Sequence, residues 1–419
     1  MPWDAHHFER LQNLLGQEWL EEGCRGLGVA VRRGLEQGTF TSALENNTHP
    51  IHKLWYEGVL ERPLPSAMVI QGDNRIEHGL LSAHRILTLE FLVARLEASW
   101  SEEVRNNVAA KLRNHPEFES TLYELLVTLN LREAGHDVNL RLPAGASKAD
   151  IEGTIWGREV HIGCKRLTFR SRPHANRIAH LNALAREMLP LIARWNPFVA
   201  VSLEIRGAVE FNAISEVVRG YTTQPDCRPC LFLPGPWLMY VSSATQGVVR
   251  LQGDLNQFDV LVTDGEFQNG IGHQRLWVVG IQDVIPSDWG TLVRNRLNDG
   301  RPQLQHGRSN IICLEVADMV YFTTEAEFDR VFAAVDQFLA RDSTRVSAVI
   351  VTVAGARRVG TNDSVREGPV RFQSDGRAWV IRNPRAEVPL PEEFSALPFN
   401  KPSIWVEASR QPRGSQVGR

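Results

Sequence analysis

The stretch that most constrains this chain is Ala149–Arg166, reading ADIEGTIWGREVHIGCKR. Apolar and polar residues alternate on both sides of Trp156-Gly157, the period of strands with one buried face. A two-residue turn at Trp156-Gly157, with glycine supplying the positive φ that such turns need, makes the stretch a hairpin. In that register residue 155 faces 158, 152 faces 161 and 150 faces 163. Ile151, Ile155, Val160, Ile162 and Cys164 share one side. Asp150, Glu152, Thr154, Glu159, His161, Gly163 and Lys165 share the other. Asp150 and Lys165 fall together near the open end. A carboxylate holds a hard divalent cation through oxygen, and a lysine beside it stabilises negative charge or orients water. The pair therefore suits metal-assisted cleavage of a phosphodiester. The plainer alternative is a surface hairpin with its charges in water.

What precedes the hairpin favours the chemical reading. Pro116 opens a helix at the position proline tolerates best, and Gly135 stops it. Phe118, Leu122, Leu125, Leu126 and Leu129 make its buried stripe. Glu119 sits at the margin of that stripe, with Glu117 and Glu124 on the wetter side. A carboxylate at a buried edge needs a partner, so Glu119 is the helix residue expected to face a metal or lysine, with Glu124 as the other candidate. A strand over His136–Leu142 and a loop at Pro143–Ser147 lead into the hairpin.

This order, carried by FE…YEL…GHDV…ADI…VHIGCKRL, resembles the PD-(D/E)XK nuclease superfamily over residues 116–206. The resemblance implies an α/β core with a mixed, restriction-endonuclease-like sheet flanked by helices. It implies Mg²⁺, with Mn²⁺ as substitute, and phosphodiester hydrolysis, here expected on DNA. Carried over, Asp150 matches the metal-binding Asp, Lys165 the catalytic Lys, and Glu119 or Glu124 the helix Glu. Two positions depart from the pattern. Ala149 stands where the family name has Pro, a harmless change. Gly163 stands two before Lys165, where the family has Glu or Gln, and glycine offers no side-chain ligand. Four outcomes remain open: Glu152 or Glu159 reaching in; His161 lending a nitrogen, which suits Mg²⁺ poorly; Glu119 completing the site with the Gly163 carbonyl; or a degenerate domain that binds nucleic acid or a protein partner without cutting.

Arg166, Arg170, Arg172 and Arg177 follow the motif lysine as a local basic run, the kind that neutralises phosphates. The whole chain advertises nothing of the sort, with a formal net charge of −3 over 419 residues. The helix His174–Trp195 and the buried strand Phe198–Ile205 are read as the rest of the core. Residues 1–115 read as a helical domain, and 207–383 as an α/β extension of the core or a second α/β domain with further helix–strand units. Residues 384–419 read as a mobile tail rich in Arg, Pro and Gly. Cys227-Arg-Pro-Cys230 is a lone CxxC in an extended segment, too little for a zinc or redox site. Five scattered cysteines and no secretory signal point to a reducing cytoplasm. The apolar runs are too short to span a bilayer. A dimer is compatible with all of this.

Overall fold

The computed structural model describes residues 8–36, 48–62, 64, 73–142, 149–167, 172–194, 198–205, 216, 230–232, 237–243, 260–268, 272–283, 289–316, 325–342, 344–359, 370–392, 394 and 406–408. The N-terminal part is helical, as read from its spacing: α1 (Glu9–Leu15), α2 (Gln17–Glu36), α3 (Pro50–Gly58), α4 (Asp73–Leu96) and α5 (Glu102–Arg113). The helical spacing over residues 80–112 belongs to two helices, because Ser101 accepts from the Val104 N–H and caps a new start. Where α3 meets α4, a Cβ on Gly58 would fall on the Ala83 backbone. Backbone cannot swing aside, so Gly58→Ala is expected to cost about 1–3 kcal/mol, measured as a lowered urea midpoint. An unchanged midpoint would mean that α3 and α4 are not closely seated there.

Next comes α6 (Phe118–Glu133), ended by Gly135 at φ 86°. It does not have one wet face. Helices α4 and α5 pack on one side of it; β1 (Asp137–Leu140) and β3 (Arg158–Leu167) lie on the other. Every residue from Tyr123 to Leu131 is buried, and the Tyr123 hydroxyl hydrogen-bonds Thr352 Oγ1 at 2.7 Å. The placement of Glu124 on a wet side is therefore corrected. A single hydrophobic stripe locates solvent only for a helix with one covered face.

The hairpin is β2 (Ile151–Ile155) and β3. Its pairs Ile155↔Arg158, Glu152↔His161 and Ile151↔Ile162 are those read from the sequence. Trp156 (φ 45°) joins Gly157 (φ 74°) in the left-handed region, as a turn with two positive φ values requires. Its ring stacks edge-on against Phe394 and His136.

The sheet beyond the hairpin departs from expectation. Strand β3 runs parallel to β9 (Ser309–Val316), and β9 parallel to β10 (Ala348–Val359). Then β11 (Val370–Arg382) and β12 (Val406–Ala408) continue antiparallel, giving the order β1-β2-β3-β9-β10-β11-β12. The strand Phe198–Ile205 (β4) is not in this sheet. It centres a second one, ordered β5-β6-β4-β8-β7, with β5 (Cys230–Phe232), β6 (Trp237–Ser243), β7 (Val260–Gln268) and β8 (Gly272–Asp283). Helix α7 (Arg172–Ile192) packs on β7 and β8. The described elements between residues 172 and 283 thus form an insertion with its own core of Leu181, Met188, Val201, Val279 and their neighbours. The boundary at 206 is corrected: the first sheet takes its next strands from α8 (Trp289–Gly300)–β9 and α9 (Glu325–Asp342)–β10.

The first sheet is covered on both faces. Ile151, Ile162, Cys164, Ile311 and Ile350 face the N-terminal helices. Leu167, Ile312, Leu314, Val349 and Val351 face α8 and α9. Burial on both sides explains why β9 and the start of β10 are nearly continuous apolar runs. Residues 384–392 and 394, read as part of a mobile tail, are held in place. Arg382 donates to the carbonyls of Leu390, Pro391, Glu392 and Phe394, Phe394 is buried, and Val406–Ala408 pairs with β11. Among the described residues no helix is long and apolar enough to cross a membrane.

Candidate active site

The site lies where β2 begins and β3 ends. Regular pairing stops at Ile151↔Ile162. The Asp150 N–H nevertheless donates to the Ile162 carbonyl at 3.0 Å, so two residues of one strand oppose one of the other. Such a bulge re-aims a side chain. Asp150 therefore does not simply face Gly163. Its Oδ2 accepts the Cys164 N–H at 2.7 Å and stands 3.7 Å from Lys165 Nζ. The ammonium also donates to the Cys164 carbonyl at 3.1 Å. Both side chains are largely but not wholly covered, 16% and 14% exposed.

The helix carboxylate at this spot is Glu124. Its Oε2 takes a hydrogen bond from Lys111 Nζ of α5 at 3.0 Å. Burial is the largest influence on it and pushes its pKa up; Asp150 pushes the same way, while Lys111 and Lys165 pull it down. The result is a carboxyl raised to about 7. Burial also acts against the charge on Lys111, but Glu124 and Asp150 outweigh it and hold the lysine above its usual range. Burial thus opposes charge on both partners with opposite success. The lysine keeps its proton, and the carboxyl is the group that takes one up as pH falls. Two carboxylates and two ammonium groups thus feel one another at a single place.

Glu119, expected as a metal ligand and catalytic residue, is elsewhere engaged. Arg85 binds it at 2.6 Å and Arg166 at 2.7 Å, and Arg166 also reaches Glu315 at 2.9 Å. Burial alone would raise its pKa, but the two guanidinium groups hold it below the carboxylate norm. Glu119 is the centre of an ion-pair chain joining α4, α6, β3 and β9. That chain also corrects the expectation for Arg166, which spends its guanidinium on protein carboxylates. Glu152 and His161 oppose each other one step along the hairpin, where Glu152 pairs with Arg141 at 2.7 Å. Burial keeps the His161 pKa low. Glu159, at the far end, pairs with Arg308. Arg170 and Cys227 lie outside the described residues, Arg172 and Arg177 lie in the first turns of α7 and Cys230 opens β5.

The sequence alone does not bring Lys111 to the site. Lys111 looks like an ordinary cation in the last turn of a surface helix. Gln303 ends a short 3₁₀ turn, Arg301–Gln303, after α8, and no local pattern marks it. Cys164 and Cys313 face each other in register on β3 and β9 as free, buried thiols. Burial raises the Cys164 pKa far out of the reactive range.

Among the described residues no group of three or more His, Cys, Asp or Glu side chains is gathered so as to hold a metal. No family model, curated protein or solved structure matches this chain.

Proposed function

We propose that this protein is a divalent-metal-dependent nuclease acting on DNA, with a core of the PD-(D/E)XK, restriction-endonuclease-like kind. One observation carries the reading: Glu124, Asp150 and Lys165, from a helix and two successive strands, come together at one largely covered spot. The element order supports it. A helix, three antiparallel strands, then a helix and a strand parallel to the third are all present, with residues 172–283 inserted before the last pair.

The donor chemistry fits a hard cation such as Mg²⁺, with Mn²⁺ in its place: Asp150 and Glu124 both offer carboxylate oxygen. Bound there, the ion would polarise a phosphoryl oxygen and lower the pKa of an attacking water. The chain's own groups do the rest. Asp150 is fixed by the Cys164 N–H, so it meets its ligand already oriented. The Lys165 ammonium, held beside it, balances charge that develops on the phosphate. Lys111 neutralises Glu124 until another cation takes that role.

A second reading has its own observation. Gly163 supplies no side-chain oxygen, and Lys111 already engages Glu124. Both suit a catalytically degenerate protein of the same fold that binds nucleic acid or a protein partner without cleavage.

Supercoiled DNA incubated with Mg²⁺, Mn²⁺ or EDTA separates the two. The nuclease is expected to nick in either metal and to stop in EDTA. Asp150→Ala and Lys165→Ala should each slow it by roughly a hundredfold or more. Nicking that survives EDTA or Asp150→Ala would sink the proposal. DNA bound equally with and without metal, and never cut, would establish the binding module.

A further inference from the structure

Gly163 leaves room that another side chain fills. A Cβ built on Gly163 would stand 3.4 Å from Gln303 Oε1 and 3.9 Å from Leu304 Cδ2. By standard bond lengths a glutamate's own carboxylate oxygen lies roughly 3–3.7 Å from its Cβ. Gln303 Oε1 is therefore about as far from that point as an oxygen carried by residue 163 itself would be. The same turn covers Lys165: a Cβ on Gly300 would stand 3.3 Å from Lys165 Cε and 3.5 Å from its Cγ. Residues 163 and 165 share a face of β3 by strand alternation. Gly300–Gln303 thus lies along the face from which the motif lysine departs.

The amide oxygen is also unsatisfied. Gln303 Oε1 is buried and has no hydrogen-bond partner among the described residues. A buried carbonyl left alone costs about 1–3 kcal/mol, and such atoms in folded proteins nearly always have a partner. A neutral amide oxygen is a good donor to a hard divalent cation.

Resting on the metal-dependent reading above, we infer that Gln303 supplies, from a different element, the oxygen that position 163 lacks. Gln303 is then a ligand of the same cation as Asp150 and Glu124. The site is assembled from α6, the β2–β3 hairpin and the turn after α8. The segment that follows the 172–283 insertion thereby completes the site that precedes it.

Titration of the full chain with Mn²⁺ alone, read as loss of the free-ion paramagnetic resonance signal, tests this without any turnover. Wild type is expected to bind one ion, and Asp150→Ala to lose it. Gln303→Ala should weaken binding by at least about tenfold, whereas Gln303→Glu should bind as tightly as wild type or more so. Gly163→Gln placed in the Gln303→Ala background should recover most of the loss, because the oxygen returns from the other side of the same space. Gln303→Ala binding like wild type, while Asp150→Ala does not bind, would overturn the assignment and leave the metal site standing. If Gln303→Glu and the double variant are as weak as Gln303→Ala, Gln303 only packs against β3 and the assignment fails. If wild type binds no Mn²⁺, the metal-dependent reading falls and this inference with it.

Discussion

Lys111→Met is expected to destabilise the protein by about 2 kcal/mol more at pH 8.5 than at pH 5. It strands the carboxylate of a largely buried ion pair; Lys111 and Glu124 are 24% and 10% exposed. The pH dependence follows from which proton moves. Glu124 has a folded-state pKa of about 7, above the unfolded carboxyl's usual range near 4.3. The folded state therefore binds the extra proton between roughly pH 4.3 and 7, and wild-type stability falls as pH rises through that window. Lys111 restrains the shift, so removing it pushes the Glu124 pKa higher still. Each further unit costs about 1.4 kcal/mol at a pH above the new value. Near pH 4 the carboxyl is protonated whether the chain is folded or not, and the methionine fills the space of the lysine stem. Urea unfolding of both proteins at the two pH values measures the difference. Equal losses at pH 5 and pH 8.5 would show that Lys111 contributes packing alone.

The hairpin was legible because its cues are local. Alternation sets which residues pair, and Trp156-Gly157 permits one tight turn. What escaped reading depends on contacts distant in sequence. Helix α6 carries leucines on one stripe, but it is covered by α4 and α5 as well as by the sheet. The stripe therefore puts Glu124 on the wetter side and ranks it second to Glu119, although Glu124 is the one that lies near Asp150 and Lys165. Glu119 lies at the stripe's edge as expected, but Arg85 and Arg166 claim it. The bulge at Asp150 leaves no mark in an alternating pattern. The partner of β3 could not be read from the order of elements, since helix α7 and strand β4 form the same helix–strand unit as α8 and β9. Only the register Cys164↔Cys313 tells which of the two belongs beside the motif lysine. β11 was overlooked as well, because VRFQSDGRAWVIR is interrupted by glycine and charge. The stretch just after residue 383 reads as free because single arginines do not announce that one of them, Arg382, gathers four carbonyls.

The raised carboxyl also couples metal uptake to protons, and this gives the second large effect. Under the proposed function a divalent cation requires Glu124 ionised. At pH 6 most of Glu124 is protonated, since its pKa lies near 7. Mn²⁺ binding there should release close to one proton, and at pH 8.5 almost none. Affinity should consequently fall about tenfold for each pH unit below 7 and level off above it. Calorimetric titration in two buffers of different ionisation enthalpy gives the proton count directly. The Glu124→Gln variant should bind more weakly at high pH and lose the pH dependence between 5 and 7. If wild type binds Mn²⁺ with no proton release at pH 6, Glu124 is not a ligand, and its ion pair with Lys111 is purely structural. If the release is present and disappears in Glu124→Gln, that pair is the resting state of the metal site: Lys111 takes the cation's place while the carboxyl waits, and gives it up as the ion enters.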